Sequence, residues 1–340
     1  MKHKKKLKSR LEVLKKSFTF RRALNYLLLI ISYNLSRLLK RPFVWGYPPI
    51  ITIEPTNLCN LQCPICIAGN NKMKRERGYM SFEDYKNFID QLEKYIFSVA
   101  FIGYGEPFLN PDIYRMIEYA NKKKLFLFAS SNGNIKINSC DLVKNSFDNL
   151  VIALDGTTQK TYSEYRVNGN IEVVMENIKN IIKEKENKHS SKPHMTMQFL
   201  VMKHNEHELE KIEKLSEDLG FDSFVIKTVG TNSEAEKEKF QPTNPKFIRT
   251  SETDNNSDKK KGCCRNIFFE PVINWDGDLS ICCYDSDNIV KVGKITEQKS
   301  FLQIWKSDKI MQIRKSMLTD NKIIELCNNC GVRKKIKLFR

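Results

Sequence analysis

Apolar residues along the chain form short β-branched runs that are separated by helical periodicities. Six apolar runs predict buried strands, near residues 50–54, 98–103, 125–130, 149–154, 195–202 and 223–228. Apolar residues at three- and four-residue steps predict helices over 82–97, 113–123, 171–185, 206–219 and 301–318. Strands that alternate with helices predict parallel βαβ units. The pattern therefore predicts an α/β fold whose functional residues lie at the carboxyl ends of the strands.

Three other stretches of the chain have different patterns. Between residues 23 and 39 a helical face is formed by Leu24, Leu27, Leu28, Ile31, Leu35 and Leu38. Residues 231–262 are polar with almost no apolar periodicity, which predicts a mobile linker or a surface loop. Residues 270–283 predict a β-hairpin that turns at Asp276-Gly277, because this dipeptide is a strong hairpin signal.

The excess positive charge of the chain lies at its two ends. The 340 residues contain 57 Lys+Arg and 40 Asp+Glu, a formal net charge of +17. Residues 1–41 contain 13 bases and one acid, and residues 331–340 contain five bases and no acid. Residues 42–330 are balanced, with 39 bases and 39 acids. The tails have no aromatic interleaving or motif for reading bases, so nucleic acid is not expected as a partner.

The amino-terminal segment, residues 1–45, combines a basic tail with an amphipathic helix. It is similar to a secretory signal, but Asn25, Asn34 and Arg37 interrupt the apolar run and no small-residue cleavage pattern follows. The run is also too short to span a membrane. Two interpretations remain. The helix packs on the outside of the main domain, or it lies on an anionic membrane, where each base adds about 1 kcal/mol. We expect a cytoplasmic protein, peripheral on the inner face of the membrane in the second case.

The ten cysteines are clustered, which predicts metal ligands before disulfides in a chain without an export signal. Cys59, Cys63 and Cys66 form Cys-x3-Cys-x2-Cys directly after the first predicted strand. A structural zinc ion takes four ligands, and no fourth cysteine or histidine lies nearby. A cubane [4Fe–4S] cluster held by three thiolates keeps one iron open to a small molecule. The spacing favours an iron–sulfur cluster, with zinc as the alternative.

This cysteine loop resembles that of the radical S-adenosylmethionine (SAM) superfamily, and motifs at the next strand ends are similar to that family's. The motifs are Gly-x-Gly-Glu-Pro with Gly105 and Glu106, Ser-Asn-Gly with Ser131 and Asn132, and Ala-x-Asp-Gly with Asp155. The chain departs from the family at Ile65, where an aromatic residue is usual, and at Ala153, where a serine is usual. These departures remove an aromatic contact to adenine and one polar contact to the cofactor.

The resemblance implies a partial (β/α)6 TIM-like barrel. In that family the open iron of the first cluster chelates SAM, and reduction gives a 5′-deoxyadenosyl radical that takes hydrogen from the substrate. The implied cofactor-binding residues are Gly105, Glu106, Ser131, Asn132, Asp155 and Arg166. Gly105 and Glu106 would bind the amino group of SAM. Arg166 is the expected partner of its carboxylate, because a guanidinium pairs with a carboxylate through two parallel hydrogen bonds.

A second set of cysteines follows the polar stretch. A zinc site of four cysteines is one interpretation of it. The arrangement also resembles a shortened SPASM extension, which in radical SAM enzymes holds auxiliary clusters. The resemblance implies one auxiliary [4Fe–4S] cluster held by Cys264, Cys282, Cys327 and Cys330, with Cys264 and Cys282 chosen from adjacent cysteine pairs by the family spacing. Four protein thiolates leave no open iron, so electron transfer is the expected role.

We therefore predict a radical SAM enzyme with two [4Fe–4S] clusters, which dehydrogenates or similarly modifies a small molecule or a glycan. An electron donor such as flavodoxin or ferredoxin is the expected partner. The predicted segments are 1–45 (tail and helix), 46–230 (partial barrel), 231–262 (linker), 263–330 (auxiliary cluster domain) and 331–340 (basic tail). The alternatives are a radical SAM peptide maturase and a non-catalytic metal or iron–sulfur protein at the membrane. No residue is assigned as a catalytic acid or base.

Overall fold

The computed structural model describes residues 11–231, 233–248, 264–319 and 324–328. The strands are β1 (Ile50–Ile53), β2 (Ser98–Phe101), β3 (Phe126–Ser131), β4 (Asn149–Ala153), β5 (His194–Val201), β6 (Ser223–Thr228), β7 (Val272–Ile273), β8 (Asp278–Ser280) and β9 (Gly293–Lys294). The first helices are α1 (11–17), α2 (Phe20–Leu39), α3 (Phe82–Leu92), α4 (Ile113–Lys122), α5 (Ser139–Lys144), α6 (Gln159–Tyr165) and α7 (Ile171–Asn187). The later helices are α8 (Leu209–Asp218), α9 (Glu234–Phe240), α10 (Asn266–Phe269), α11 (Phe301–Trp305), α12 (Asp308–Thr319) and α13 (Glu325–Asn328).

The described strands form one nine-stranded sheet in the order β6-β5-β4-β3-β2-β1-β7-β8-β9. Strands β1 to β6 are parallel and adjacent in chain order, with Ile51 opposite Val99 and Phe101 opposite Ala129. This order is that of a barrel wall, in which each strand is followed by a helix and then by its neighbour. The predicted α/β fold with a partial six-unit barrel is confirmed, and each predicted strand lies within two residues of an observed one.

The last three strands extend the barrel sheet. β7 pairs in parallel with β1, with Thr52 opposite Val272, and β8 and β9 then add in antiparallel fashion. The hairpin turns where it was predicted, and Gly277 has a φ of +86°, which glycine adopts without strain. The cysteine-rich segment, predicted as a small domain of its own, therefore shares its sheet with the barrel.

Several helices differ from their predictions. The short helices α5 and α6 were not predicted, because six or seven residues hold too few periodic positions. The single helix predicted over 301–318 is two helices, α11 and α12. The break buries Arg314 over the ring of Trp305, with the guanidinium carbon 4.1 Å from the ring centroid. Arg314 Nη1 also donates to the Trp305 carbonyl at 2.8 Å, so two large side chains become buried together.

The stretch 231–262, predicted as a mobile linker or a surface loop, contains a helix in its first part. Helix α9 begins after Ser233, whose side chain accepts a hydrogen bond from the Glu236 amide. Phe240 at its end is buried against Tyr165, with ring centroids 5.7 Å apart. One anchoring aromatic residue gives no periodic pattern, which explains why the sequence did not predict the helix. Residues 249–263 lie outside the described part of the chain.

Helix α2 lies across the amino-terminal ends of the strands. The Arg22 guanidinium donates to the carbonyls of Glu93 at 2.8 Å and Lys123 at 3.0 Å, just before β2 and β3. Asn25 Nδ2 donates to the Tyr95 carbonyl at 3.3 Å. This confirms the interpretation that the helix packs on the main domain. No helix in the described ranges combines the length and apolar content needed to cross a membrane.

Candidate functional site

The first three cysteines lie in a loop at the carboxyl end of β1, as predicted. The loop is tied to the barrel mouth by a hydrogen bond from the Gln62 amide to the Val167 carbonyl, 3.0 Å long. Close packing continues at Gly69, where a Cβ would stand 2.7 Å from the Cys63 amide nitrogen. Cys59, Cys63 and Cys66 contact one apolar cluster and form no disulfide. The structure therefore presents the three thiols together at the end of the barrel where parallel strands place their sites.

The environment of these thiols is that of a ligand site. Burial raises the pKa of Cys59 to about 11 and also raises the pKa of Cys63, where nearby Arg166 opposes the effect. Buried thiolates need positive charge beside them, and iron or zinc supplies it. No three Cys, His, Asp or Glu side chains in the described ranges are close enough to surround a single ion. In a [4Fe–4S] cluster each thiolate binds a different iron, so the thiols lie farther apart than they would around one ion. The separation of these three thiols is therefore compatible with a cluster.

Glu106 is buried at the carboxyl end of β2 and connects two strand ends. One carboxylate oxygen accepts hydrogen bonds from Ser131 Oγ at 2.8 Å and from the Phe108 amide at 3.2 Å. The other accepts from the Asn132 amide at 2.7 Å. Burial raises the pKa of Glu106 to about 7, although these hydrogen bonds oppose the shift. A carboxylate has about four acceptor positions, so the second oxygen keeps capacity for an ammonium group.

Three of the other predicted cofactor residues lie beside the cysteine loop. Gly105 has no room for a side chain, because a Cβ would stand 2.5 Å from the Leu58 carbonyl oxygen. Asn132 Nδ2 is 3.0 Å from Asn60 Oδ1 and 3.6 Å from Cys59 Sγ. Ser131 is buried and donates its hydroxyl hydrogen bond to Glu106. The strand ends of β2 and β3 therefore meet the loop that carries the thiols.

Asp155 and Arg166 form a buried ion pair on the opposite side of the loop. Arg166 Nε and Nη2 lie 2.7 and 2.6 Å from Asp155 Oδ2. Arg166 Nη1 is 3.7 Å from Cys63 Sγ, and Asp155 Oδ1 accepts from the Leu200 amide at 2.7 Å. Two of the three guanidinium nitrogens are thus used by Asp155, and the third faces the cysteine loop. The role predicted for Arg166, pairing with the SAM carboxylate, stays a prediction.

The described members of the second cysteine set also come together. Burial raises the pKa of Cys264, and the nearby thiols of Cys282 and Cys327 add to the shift. These three pack against the core, whereas Cys283 is exposed. The thiols of Cys264, Cys282 and Cys327 thus lie near one another, and their assignment as cluster ligands stays a prediction. Cys330 lies outside the described residues.

The sequence did not predict a junction between the two cysteine regions. Glu54, buried at the end of β1, forms a two-pronged ion pair with Arg75, whose Nη1 lies 2.7 Å from Glu54 Oε2. Arg75 Nε donates to the Ser286 carbonyl at 2.5 Å, and Trp275 Nε1 donates to the Glu76 carbonyl at 3.2 Å. We call Glu54, Arg75, Trp275 and Ser286 the hairpin junction. Its only sequence signal was that Glu54 ends a predicted strand.

Two further side chains at this end of the barrel were not predicted. Tyr104 lies inside the Gly-x-Gly turn, and burial raises the pKa of its hydroxyl, with Cys283 and Cys282 adding to the shift. His204 follows β5, and neither of its ring nitrogens makes a hydrogen bond. Burial lowers the pKa of His204. Because His204 directly follows a predicted strand, the strand-end rule could have identified it.

A parallel partial barrel with three thiols at its carboxyl end, and a second cysteine group beside them, defines an α/β iron–sulfur protein. Comparison with known families agrees: residues 53–216 match the radical SAM superfamily and residues 263–331 match SPASM, an iron–sulfur cluster-binding domain. The chain therefore contains a radical SAM domain followed by a SPASM-type iron–sulfur domain. The expected cofactors, SAM, a [4Fe–4S] cluster and an auxiliary iron–sulfur cluster, are thereby confirmed.

Curated relatives include maturases and a cofactor-modifying protein. The chain is 29% identical over 137 residues to the mycofactocin maturase MftC of Mycobacterium tuberculosis, which covers 39% of this chain and 34% of the relative. It is 22% identical over 327 residues to the tungsten-containing aldehyde ferredoxin oxidoreductase cofactor-modifying protein of Pyrococcus furiosus, covering 83% and 86%. The chain thus spans about a third of the length of the maturase it matches.

Solved structures share the fold at low identity. Streptococcus suis SuiB bound to S-adenosylmethionine superposes with a TM-score of 0.60 at 16% identity, covering 79% of this chain and 68% of SuiB. BtrN in complex with AdoMet and 2-DOIA superposes with a TM-score of 0.53 at 15% identity, covering 84% and 94%. These similarities establish the architecture, and the chemistry of this chain is argued from its own residues.

Proposed function

We propose that this enzyme oxidises its substrate by hydrogen abstraction and passes the remaining electron to the auxiliary site. Cys59, Cys63 and Cys66 would hold the first [4Fe–4S] cluster. A reduced cluster and SAM bound there would supply a 5′-deoxyadenosyl radical for abstraction of a hydrogen atom from the substrate. The auxiliary cluster would be held by Cys264, Cys282, Cys327 and Cys330.

The chain's own residues would position SAM. Glu106 offers a carboxylate oxygen with spare acceptor capacity for the ammonium group, and the buried setting strengthens that pairing. Gly105 lets the turn approach the cysteine loop. Asn132 orients one side of the loop through Cys59 and Asn60. On the other side Arg166, held by Asp155, presents positive charge to Cys63, which stabilises the thiolate state.

The observation that carries this proposal is that the Gly-x-Gly turn after β2 lies next to both cysteine regions. The Gly-x-Gly turn separates them: Gly105 packs under the first loop, and Tyr104 lies near Cys282 and Cys283. The hairpin junction fixes the second region against the first. A substrate at the barrel mouth would therefore lie between the hydrogen-abstracting site and the electron acceptor, as a net oxidation requires.

The test is anaerobic turnover of SAM by the reconstituted protein. We expect about eight irons per chain, the sum of two four-iron clusters, and 5′-deoxyadenosine from SAM and a reductant. The variant Cys59→Ala/Cys63→Ala/Cys66→Ala should keep about four irons and form no 5′-deoxyadenosine. Cys140→Ala, which removes an exposed cysteine away from both groups, is the matched control and should behave as wild type. Protein that binds only zinc and leaves SAM intact would overturn the proposal.

The substrate is the second question, and relatives favour two answers. A small molecule or a glycan is the first answer, and the structure of BtrN in complex with AdoMet and 2-DOIA supports it. MftC is a maturase, and SuiB was crystallised with a precursor peptide. The peptide alternative is tested by mass analysis of candidate peptides and small molecules after turnover. A mass loss of two hydrogens identifies the oxidised substrate.

We further propose that the enzyme works in the cytoplasm and receives electrons from a flavodoxin or a ferredoxin. Its second predicted location, peripheral contact with an anionic membrane, is supported by the amino-terminal helices. A non-catalytic protein anchored in the same way would bind vesicles without cleaving SAM, so the turnover assay separates these alternatives.

A further inference from the structure

Helix α2 packs on the barrel through a face on which four of the six buried residues are polar. The inward residues include Arg22, Asn25, Ser32 and Ser36, all of them buried. Their polar groups form hydrogen bonds with backbone groups of the barrel and of the segment between α2 and β1. The Tyr47 amide donates to Asn25 Oδ1 at 2.8 Å, and the Phe43 amide donates to Ser36 Oγ at 2.7 Å. A surface helix normally buries its apolar face and exposes its polar one. In α2 the buried face is mixed, because Leu29 and Tyr33 are buried among these polar residues, whereas six large apolar side chains of the helix are exposed.

The outward face of α2 is an apolar ridge. Its members are Phe20, Leu24, Leu27, Ile31 and Leu38, which follow one another at steps of four, three, four and seven residues and are 45 to 78% exposed. Of the fifteen large hydrophobic side chains exposed in the described ranges, ten lie in residues 11–45. Scattered exposed apolar residues are normal, but such a concentration marks a contact surface.

The charge around the ridge indicates what covers it. Exposed bases flank both ends, namely Lys15 and Arg21 near the start and Arg37, Lys40 and Arg41 near the end. The one acid in residues 11–45 is Glu12, and residues 1–10 add six bases by sequence. An apolar stripe between basic groups fits an anionic lipid surface. A second copy of the chain would place the same bases against each other, which is unfavourable.

The position of the ridge fixes the orientation of the enzyme. Through Arg22 and Asn25, α2 lies on the segments that precede β2 and β3, at the amino-terminal end of the barrel. The cysteine loop, Glu106 and Asp155 lie at the carboxyl end. The four residues of β1 alone separate the two ends by about 13 Å. A membrane that contacts the ridge is therefore on the side opposite the barrel mouth.

We propose that the apolar ridge of α2 docks the enzyme on an anionic membrane with its barrel mouth facing the aqueous phase. Its substrate then arrives from solution, or on a water-exposed partner, and is not a lipid in the supporting bilayer. The inference builds on the proposed membrane contact and is independent of the chemistry at the cysteines, because no ridge residue is among the predicted ligands of the clusters or of SAM.

Vesicle binding by the full-length holoenzyme tests the docking. We expect binding to vesicles of phosphatidylglycerol and phosphatidylcholine at low salt, and little to phosphatidylcholine alone. Leu24→Gln/Leu27→Gln/Ile31→Gln should weaken binding at least about tenfold. Ile289→Gln, which changes an exposed apolar residue of the C-terminal region, is the matched control. SAM cleavage without lipid should be unchanged in both variants, which separates this proposal from the proposed activity. Equal vesicle binding by the triple variant would overturn the proposal. So would a wild-type protein that binds no vesicles and forms a dimer which the triple substitution converts to a monomer.

Tryptophan quenching tests the orientation. Trp45 is exposed at the α2 end of the barrel, whereas Trp275 lies at the carboxyl end in the hairpin junction. Trp305 is buried and gives a constant background. With brominated lipids in the anionic vesicles, Trp275→Phe, which retains Trp45, should be quenched relative to unbrominated vesicles. Trp45→Phe should show little quenching. Stronger quenching in Trp45→Phe than in Trp275→Phe would place the barrel mouth against the membrane and refute the proposal.

Discussion

Replacing Arg75 by methionine should loosen the hairpin junction. Arg75 links three segments, since it pairs with Glu54 at the end of β1 and donates to the Ser286 carbonyl after the second cysteine pair. Methionine keeps an apolar stem and removes the charge. Glu54, which is 1% exposed, would keep only long hydrogen bonds from the Tyr104 amide at 3.3 Å and the Trp275 amide at 3.4 Å.

The cost follows from leaving a buried carboxylate without its partner. Removing one member of a buried ion pair costs about 3–5 kcal/mol, and total domain stability is about 5–15 kcal/mol. If the whole cost falls on local opening of the junction, amides that exchange through this opening should exchange roughly 100- to 5,000-fold faster. The effect should be confined to residues 72–79 and 272–287, which contain the junction.

Hydrogen exchange with mass spectrometry on the anaerobic holoenzyme measures this effect. Lys74→Met is the matched control, because Lys74 is a neighbouring base whose side chain is exposed. The pair Glu54→Gln/Arg75→Met removes both charges and should recover part of the protection. Arg75→Met should also lose auxiliary iron before it loses SAM cleavage, since the second cysteine region depends on the junction. Unchanged exchange, or the same change in Lys74→Met, would refute the reasoning.

Three further predictions concern the contact of α2 with the barrel, the Gly-x-Gly turn and the auxiliary ligands. Arg22→Met removes hydrogen bonds to four backbone carbonyls and should cost about 3 kcal/mol in denaturant unfolding, whereas exposed Arg21→Met should change stability little. Gly105→Ala should displace the turn from the cysteine loop, so iron analysis and 5′-deoxyadenosine assays should show the first site impaired; normal values would contradict the packing. Cys282→Ala should lose the auxiliary iron, whereas Cys283→Ala should keep it, as measured by iron content and absorption spectra. Loss of the iron in Cys283→Ala alone would reverse the assignment.

The sequence predicted features that depend on nearby residues. Buried strands leave β-branched runs, so all six barrel strands could be placed within two residues. Cys59, Cys63 and Cys66 lie in one loop, and their spacing alone indicated a metal site. Because parallel strands end on the same side of a sheet, the motifs at three strand ends were correctly expected to meet.

Features that depend on distant residues could not be predicted. The pairing of Glu54 with Arg75, and the approach of Trp275, 221 positions along the chain from Glu54, required the folded sheet. The periodicity of α2 correctly identified a helix with an apolar face, but it could not say which face is inward. That outcome depends on Arg22 and Asn25 finding backbone partners at the barrel end.

The parallel pairing of β1 with β7 has a consequence for biosynthesis. Thr52 reaches its register partner, Val272, only after 220 further residues have been made. Until then the edge of β1 has unpaired amides and carbonyls, which is a template for aggregation. A chain stopped before β7 would keep that edge open permanently, and such long-range pairing also slows folding. The barrel is therefore not a separable module: ribosome-bound chains need protection of this edge until the last fifth of the protein emerges.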